Sequence, residues 1–152
     1  MPDTRPAGTP GTPHVPHGDG ASGLPALESV GEIVRMLQTT GELFLRVGSE
    51  PIDPAGPRDL ESGYRLPGAP AYRLVPEPWW LDSTPTWVAR QLTSHSYLRR
   101  ETGTGWLIAG EIAGRTADGV PLIGAAHPLA ILSRPCFLDA ERLYAAWRCR
   151  GM

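Results

Sequence analysis

Apolar positions along the chain recur at helical spacing in three stretches and alternate at strand spacing between them, and these two periods predict most of its elements. In "LESVGEIVRMLQTTGE", Leu27, Val30, Ile33, Val34 and Leu37 share one helical face. Ser29 and Glu32 stand at capping-box spacing, and Gly41 follows as a C-terminal stop. A helix is predicted from about Val30 to Thr39, packed on a sheet. "LFLRV" then sets Leu43, Leu45 and Val47 against Phe44 and Arg46, the alternation of a strand whose two faces differ. Arg46 lies on the face opposite the leucines.

"STPTWVARQLTSHSYLRR" opens with Ser83 or Thr84 as N-cap and Pro85 in the first turn. Its inner stripe is Trp87, Val88, Gln91, Leu92, His95 and Leu98, and on that stripe His95 is expected to be a hydrogen-bonded core residue rather than a catalyst. "GWLIAGEIAGR" alternates Trp106, Ile108 and Ile112 with Leu107, Ala109 and Glu111, a strand interrupted at Gly110. "TADG" turns the chain into "VPLIGAAHPLAILS", one or two further strands that complete a hairpin. "LDAERLYAAWRCR" closes the chain with Ala140, Leu143, Tyr144 and Trp147 on one helical face. The pattern predicts a single α+β domain over residues 26–152, a mixed or antiparallel sheet of about four to six short strands covered by about three helices.

From Gly48 to Leu81 neither period holds. A structureless loop of this length is uncommon in a compact domain, and "YRLPGAPAYRLV" predicts a turn around Pro67 and Gly68 flanked by short extended pieces. The segment runs into "PEPWWLDSTPTW", which concentrates three of the chain's five Trp residues among three prolines. Prolines limit backbone entropy, and Trp79 and Trp80 then have two readings. They are anchors that staple the loop to the core, or an aromatic wall over a pocket. Trp87 belongs to the helix that follows.

Composition changes this picture at three points. Residues 1–25 hold six Pro and five Gly with almost no large apolar side chain, too little burial to offset their ordering entropy, and they are expected to form a flexible tail. His14 and His17 within it lack the further ligands a metal site needs. All 14 basic residues are Arg, which excludes a Schiff-base lysine, a P-loop lysine and a lysine general base, and leaves Arg to clamp carboxylate or phosphate. A net charge of -2 favours neither nucleic acid nor an anionic membrane. Cys136 and Cys149 are the only cysteines, nothing resembles a signal peptide, and no apolar run approaches the roughly 20 residues that span a bilayer. A soluble cytoplasmic protein with free thiols is expected.

The sequence has no phosphate-binding glycine loop with Lys, no GxGxxG after a strand, no HExxH, no CxxC and no GxSxG. The polar groups of interest are Arg46, Glu61, Ser62, Glu77 and Glu111, each with a structural alternative at a rim, a turn or a solvated face. One hypothesis gathers them into a pocket for a small anionic or nucleotide-like ligand. Arg46 is its clamp, Ser62 and Tyr64 its polar contacts, Trp79 or Trp80 its stacking surface, and Glu111 or Glu77 the carboxylate of any catalysis. No metal ligand set is predicted, and the cofactor is left open. A second hypothesis, from another class, is a non-catalytic protein interaction module whose "EPWW" aromatics form part of an exposed partner surface. A third, an accessory enzyme of bacterial specialised metabolism, has no residue pattern of its own.

The motifs "LFLRVGSEP", "RDLESGYRLPG", "PEPWW", "WVARQL" and "GEIAGRTADGVPLI" together resemble a family of uncharacterised small actinobacterial proteins, over about residues 27 to 146. That resemblance implies no activity and no catalytic residue. The order of elements also resembles the layout of ADP-ribosyltransferase-like domains, with Arg in "LFLRV", an irregular "ESGYRLPG" and a late strand pair ending in "DGVPLI". In that fold an Arg or His on the first strand contacts NAD and a late Glu or Gln assists attack on the ribose. Arg46 matches the first position in type. Val120 stands where the acid is looked for, with Glu111 earlier in the chain, so the resemblance implies an inactive relative that binds a nucleotide.

Overall fold

A computed structural model describes residues 23–151, and all but the last three positions of the predicted tail, His14 and His17 included, lie outside the described residues. The elements in chain order are β1 (Ala26–Leu27), α1 (Val30–Thr40), β2 (Phe44–Gly48), β3 (Ala69–Pro70), β4 (Tyr72–Arg73), α2 (Thr84–Thr102), β5 (Thr104–Arg115), β6 (Pro121–Leu132) and α3 (Arg134–Arg150). The local signals place α1 as predicted. Ser29 Oγ accepts the Glu32 N–H at 3.2 Å, and Gly41, at φ 79°, donates its N–H to the Leu37 carbonyl at 2.8 Å. α3 starts about one turn earlier than its apolar face suggests. Ser133 is its N-cap and Pro135 lies in the first turn, where a missing N–H costs nothing.

The sheet has the order β1-β6-β5-β2-β4, with β3 off that path and paired to β6. β1 runs parallel to β6, and every other pairing is antiparallel. Ala71 alone separates β3 from β4, yet β3 pairs with Leu122 and Ile123 of β6 while β4 pairs with Phe44 and Leu45 of β2. This short crossing draws distant strands together and curls the sheet. Gly68 makes it sterically feasible: a Cβ there would fall 2.4 Å from the Ile123 carbonyl carbon.

β5 and β6 are 12 residues each, longer than the short strands predicted, and β6 is one strand. Their pairing shifts register between Leu107 and Ile108, Ala109 and Glu111, and Ile112 and Gly114. Such bulges bend and twist a hairpin. Gly110 is therefore a bulge inside a continuous strand rather than an interruption. Ile112, which the alternation grouped with Trp106 and Ile108, lies beyond the shift and is 43% exposed where they are buried.

The two faces of the sheet bury two separate clusters. Leu43 and Leu45 pack with Val30, Ile33 and Leu37 of α1, Val88 and Leu92 of α2, and Phe137 of α3. Phe44, Trp106, Ile108 and Ile123 fill the inside of the curl with Ala69 and Ala71, and Trp106 Nε1 donates to the Gly48 carbonyl at 3.0 Å. The result is a single α+β domain, a curled mixed sheet of six strands with three helices among the described residues. None of these helices is long and apolar enough to cross a membrane.

Candidate functional site

The loop after β4 brings Trp79 and Trp80 to the start of α2, where the end of α3 arrives from the other side. Trp79 and Trp80 meet edge to face at 6.3 Å, and both meet Trp87 of α2, at 5.5 and 5.4 Å. Trp80 lies 4.9 Å from Trp147 of α3, which stacks on Tyr144 at 5.6 Å. The Arg90 guanidinium sits 5.1 Å from the Trp87 ring, 5.6 Å from Trp79 and 5.8 Å from Trp80, within cation–π range of all three.

The indole N–H groups of Trp80, Trp87 and Trp147 each have an acceptor, as burial demands. Trp87 Nε1 donates to the Arg73 carbonyl at 3.2 Å, an oxygen that also accepts from Gln91 Nε2 at 3.0 Å. Trp80 Nε1 donates to the Ser83 carbonyl at 3.2 Å. Trp147 Nε1 donates to the Asp82 carboxylate. The Ser83 N–H and then the Trp147 indole hold the Asp82 carboxyl below the usual carboxylate value. Trp87 is buried, Trp80 and Trp147 are half-buried, and Trp79 is 61% exposed beside Leu81 at 97%. Trp147 lines two open crevices. One, of about 480 Å³, is lined by Asp82, Ser83, Thr86 and Arg150. The other, of about 450 Å³, is lined by Ala145, Arg148 and Cys149.

The remaining predicted site residues lie elsewhere. Arg46 pairs across the strands with Trp106 and shares the inner face of the curl with Phe44, so it and the Trp79–Trp80 pair occupy opposite faces of the sheet. Its Nε donates to the Glu50 carbonyl at 3.3 Å. Burial lowers its pKa, against the opposing Asp53 and Glu50 carboxylates. Ser62 and Tyr64 belong to an exposed turn closed by the Arg58–Arg65 bridge. Ser62 spends its N–H and its hydroxyl on Asp59 Oδ2, at 2.8 and 2.6 Å, and Tyr64 is 78% exposed. Glu61 is exposed on the same turn. Glu77 lies in the loop, its carbonyl accepting the Trp80 N–H at 2.9 Å, and Glu111 is exposed on β5 opposite Gly124.

The structure therefore brings together Trp79, Trp80 and the vicinity of Glu77, and separates them from Arg46, from Ser62 with Tyr64, and from Glu111. Arg90, Asp82, Tyr144 and Trp147 join the aromatic site without having been named for it. Arg90 had a local signal, since it follows Trp87 at helical i,i+3 spacing. Trp147 read only as one position of an amphipathic stripe.

His95 stacks on Tyr72 with ring centroids 3.4 Å apart, and its Nδ1 is 2.8 Å from the Gln91 carbonyl. Burial lowers its pKa against the backbone hydrogen bond. It fastens α2 to β4, as a core histidine does. Among the described residues no group of three or more His, Cys, Asp or Glu side chains could hold a metal ion.

Fold and site define a single-domain α+β protein with helices on one face of a curled sheet and an aromatic surface where α2 begins and α3 ends. The chain belongs to the DUF6098 family, a family of unknown function whose profile matches residues 20–151. No match is found among curated proteins or among solved structures.

Proposed function

We infer that the protein is a non-catalytic interaction module whose recognition surface is the Trp79–Leu81 stretch with Trp80, Trp147 and Tyr144. One observation carries this reading: Trp79, 61% exposed, rests edge to face on Trp80 and Trp87, with Leu81 97% exposed two residues on in the same loop, while the indole donors of Trp80, Trp87 and Trp147 are satisfied. An apolar surface held rigid from beneath loses little entropy on binding, and Trp with Arg is the usual composition of an interface anchor.

The test is site-specific photo-cross-linking inside the cell, with benzoylphenylalanine placed at position 79 and, for comparison, at Leu60, which is fully exposed on the turn closed by the Arg58–Arg65 bridge. A discrete adduct at 79 that is absent at 60 is the expected result. No adduct at 79, or the same adducts at both positions, would sink the reading.

The nucleotide-pocket reading keeps one observation in its favour. Arg46 is a half-buried guanidinium whose only hydrogen bond among the described residues is from Nε. Asp53 and Glu50 beside it oppose an anion, and NAD is the compound to test: a thermal shift with NAD that Arg46→Ala abolishes would revive it.

A further inference from the structure

The aromatic surface carries more positive charge than the fold neutralises. The Arg90 guanidinium caps Trp79, Trp80 and Trp87, and its hydrogen bond goes to a neutral acceptor, Gln91 Oε1, at 3.3 Å. At the other end of the row the Arg148 guanidinium lies 5.9 Å from the Tyr144 ring. Arg150 lines the crevice that Trp147 shares with Asp82. The ion pairs among the described residues are Arg73 with Glu42 and Arg142 with Asp139, and they include none of these three arginines.

The local sequence gives the reason. A helical Arg is neutralised within its own helix by an acid three or four positions away, and no residue at those distances from Arg90, Arg148 or Arg150 is Asp or Glu. Two acids of this region are engaged elsewhere. Asp82 accepts the Ser83 N–H, the Thr86 hydroxyl and the Trp147 indole, and Glu77 acts on Arg73, which already holds Glu42 at 3.0 Å. A chain of net charge -2 therefore gathers three guanidiniums around one aromatic patch.

Arg beside an exposed Trp suits a ligand that brings an apolar group and an anion together. A nucleic acid would use a row of open ring faces on which successive bases stack. Here Trp79, Trp80 and Trp87 meet edge to face, and of the three Trp79 alone is exposed. One exposed indole seats one apolar side chain. From Arg90 to Arg148 the path runs over Trp80, Trp147 and Tyr144 in steps of 5.8, 4.9, 5.6 and 5.9 Å. An extended peptide of about seven residues, at roughly 3.3 Å each, covers it.

We propose that the partner of this surface is an acidic peptide segment, with a large apolar side chain seated on Trp79 and flanking Asp or Glu carboxylates paired to Arg90 and Arg148. The proposal rests on the interaction-surface reading above and names the chemistry of the partner.

The test is a selection of random linear peptides, displayed on phage, against the full chain, with the Trp79→Ala variant as counter-target. Peptides that need Trp79 should be enriched in Asp and Glu close to Leu, Phe or Trp. Synthetic copies should bind Arg90→Gln about tenfold more weakly, and Arg90→Lys, which keeps the charge but not the planar fork, should recover part of that loss. Arg148→Glu, at an exposed position, should weaken them about fivefold. Trp79-dependent peptides without acidic enrichment, or acidic peptides indifferent to both Arg positions, overturn the proposal and leave the interaction-surface reading standing. A single-stranded oligothymidine that displaces the selected peptides at lower concentration than they bind assigns the surface to nucleic acid and also overturns it. So does a selection that yields no Trp79-dependent peptide, while in-cell cross-linking at position 79 decides the broader reading by itself.

Discussion

Two thiols share α3, and burial gives them opposite chemistry. Cys136 is fully buried among the helices and Cys149 is exposed, and both are free. Burial, then the Asp139 and Glu32 carboxylates, push the Cys136 thiol from 9.0 up to about 12. Because the folded state keeps a proton that the unfolded chain gives up, the stability it contributes is complete below about pH 9 and is lost as pH rises toward about 12. In the native protein at pH 8, one thiol per chain should react rapidly with an aromatic disulfide reagent, and the second only in denaturant. Two rapid equivalents would show that Cys136 is reachable. A Cys136→Ala variant should lose less stability than wild type between pH 8 and 10, measured by urea unfolding. The same rule separates residues of one type elsewhere: Trp87 is 3% exposed and Trp79 61%, although both stand in one aromatic cluster.

At the scale of elements, the crossing from β3 to β4 is the feature most exposed to a single substitution. Gly68 lies so close to the backbone of Ile123 that a methyl group there cannot be accommodated by moving a side chain. Gly68→Ala should therefore cost about 3 kcal/mol. Gly63, at φ 74° with open space around its would-be Cβ, should lose only about 1 kcal/mol, the left-handed conformation alone. Urea midpoints of the two variants decide the matter, and equal losses would contradict the close crossing. The elements legible in the sequence are those whose signal is local. Ser29, Glu32 and Gly41 bracket α1, the Leu43–Val47 alternation marks β2, and Pro85 opens α2. β1 was not legible, and β3 and β4 were legible only as one short extended piece after the Pro67–Gly68 turn, because two residues carry no period and their pairing partners lie far along the chain. The bulge at Gly110 was seen as a break, since sequence shows the glycine but not the Ile123 side chain against it.

For the whole molecule, the aromatic cluster joins three parts of the chain that share no sequence neighbourhood: the loop after β4, the first turns of α2 and the last turns of α3. The "PEPWW" half of this site was legible, because Trp beside Pro in an aperiodic stretch needs something to pack on. The other half was not, because Trp147 reaches Trp80 only once α2 and α3 lie side by side on the sheet. Arg46 was misplaced relative to it for a related reason: alternation gave its face correctly but could not say on which face the Trp pair would land. If the cluster couples the loop to α3, the contributions of Trp80 and Trp147 to stability cannot be independent. Their rings are 4.9 Å apart, and each also anchors the loop through its indole N–H, to the Ser83 carbonyl and the Asp82 carboxylate respectively. A double-mutant cycle with Trp80→Ala and Trp147→Ala should return a coupling energy of about 1 kcal/mol. Losses that add within about 0.3 kcal/mol would mean that α3 and the loop meet without supporting each other. The exposed Trp79 would then rest on α2 alone, and the rigid base that makes this surface suited to recognition would be half the size the geometry gives it.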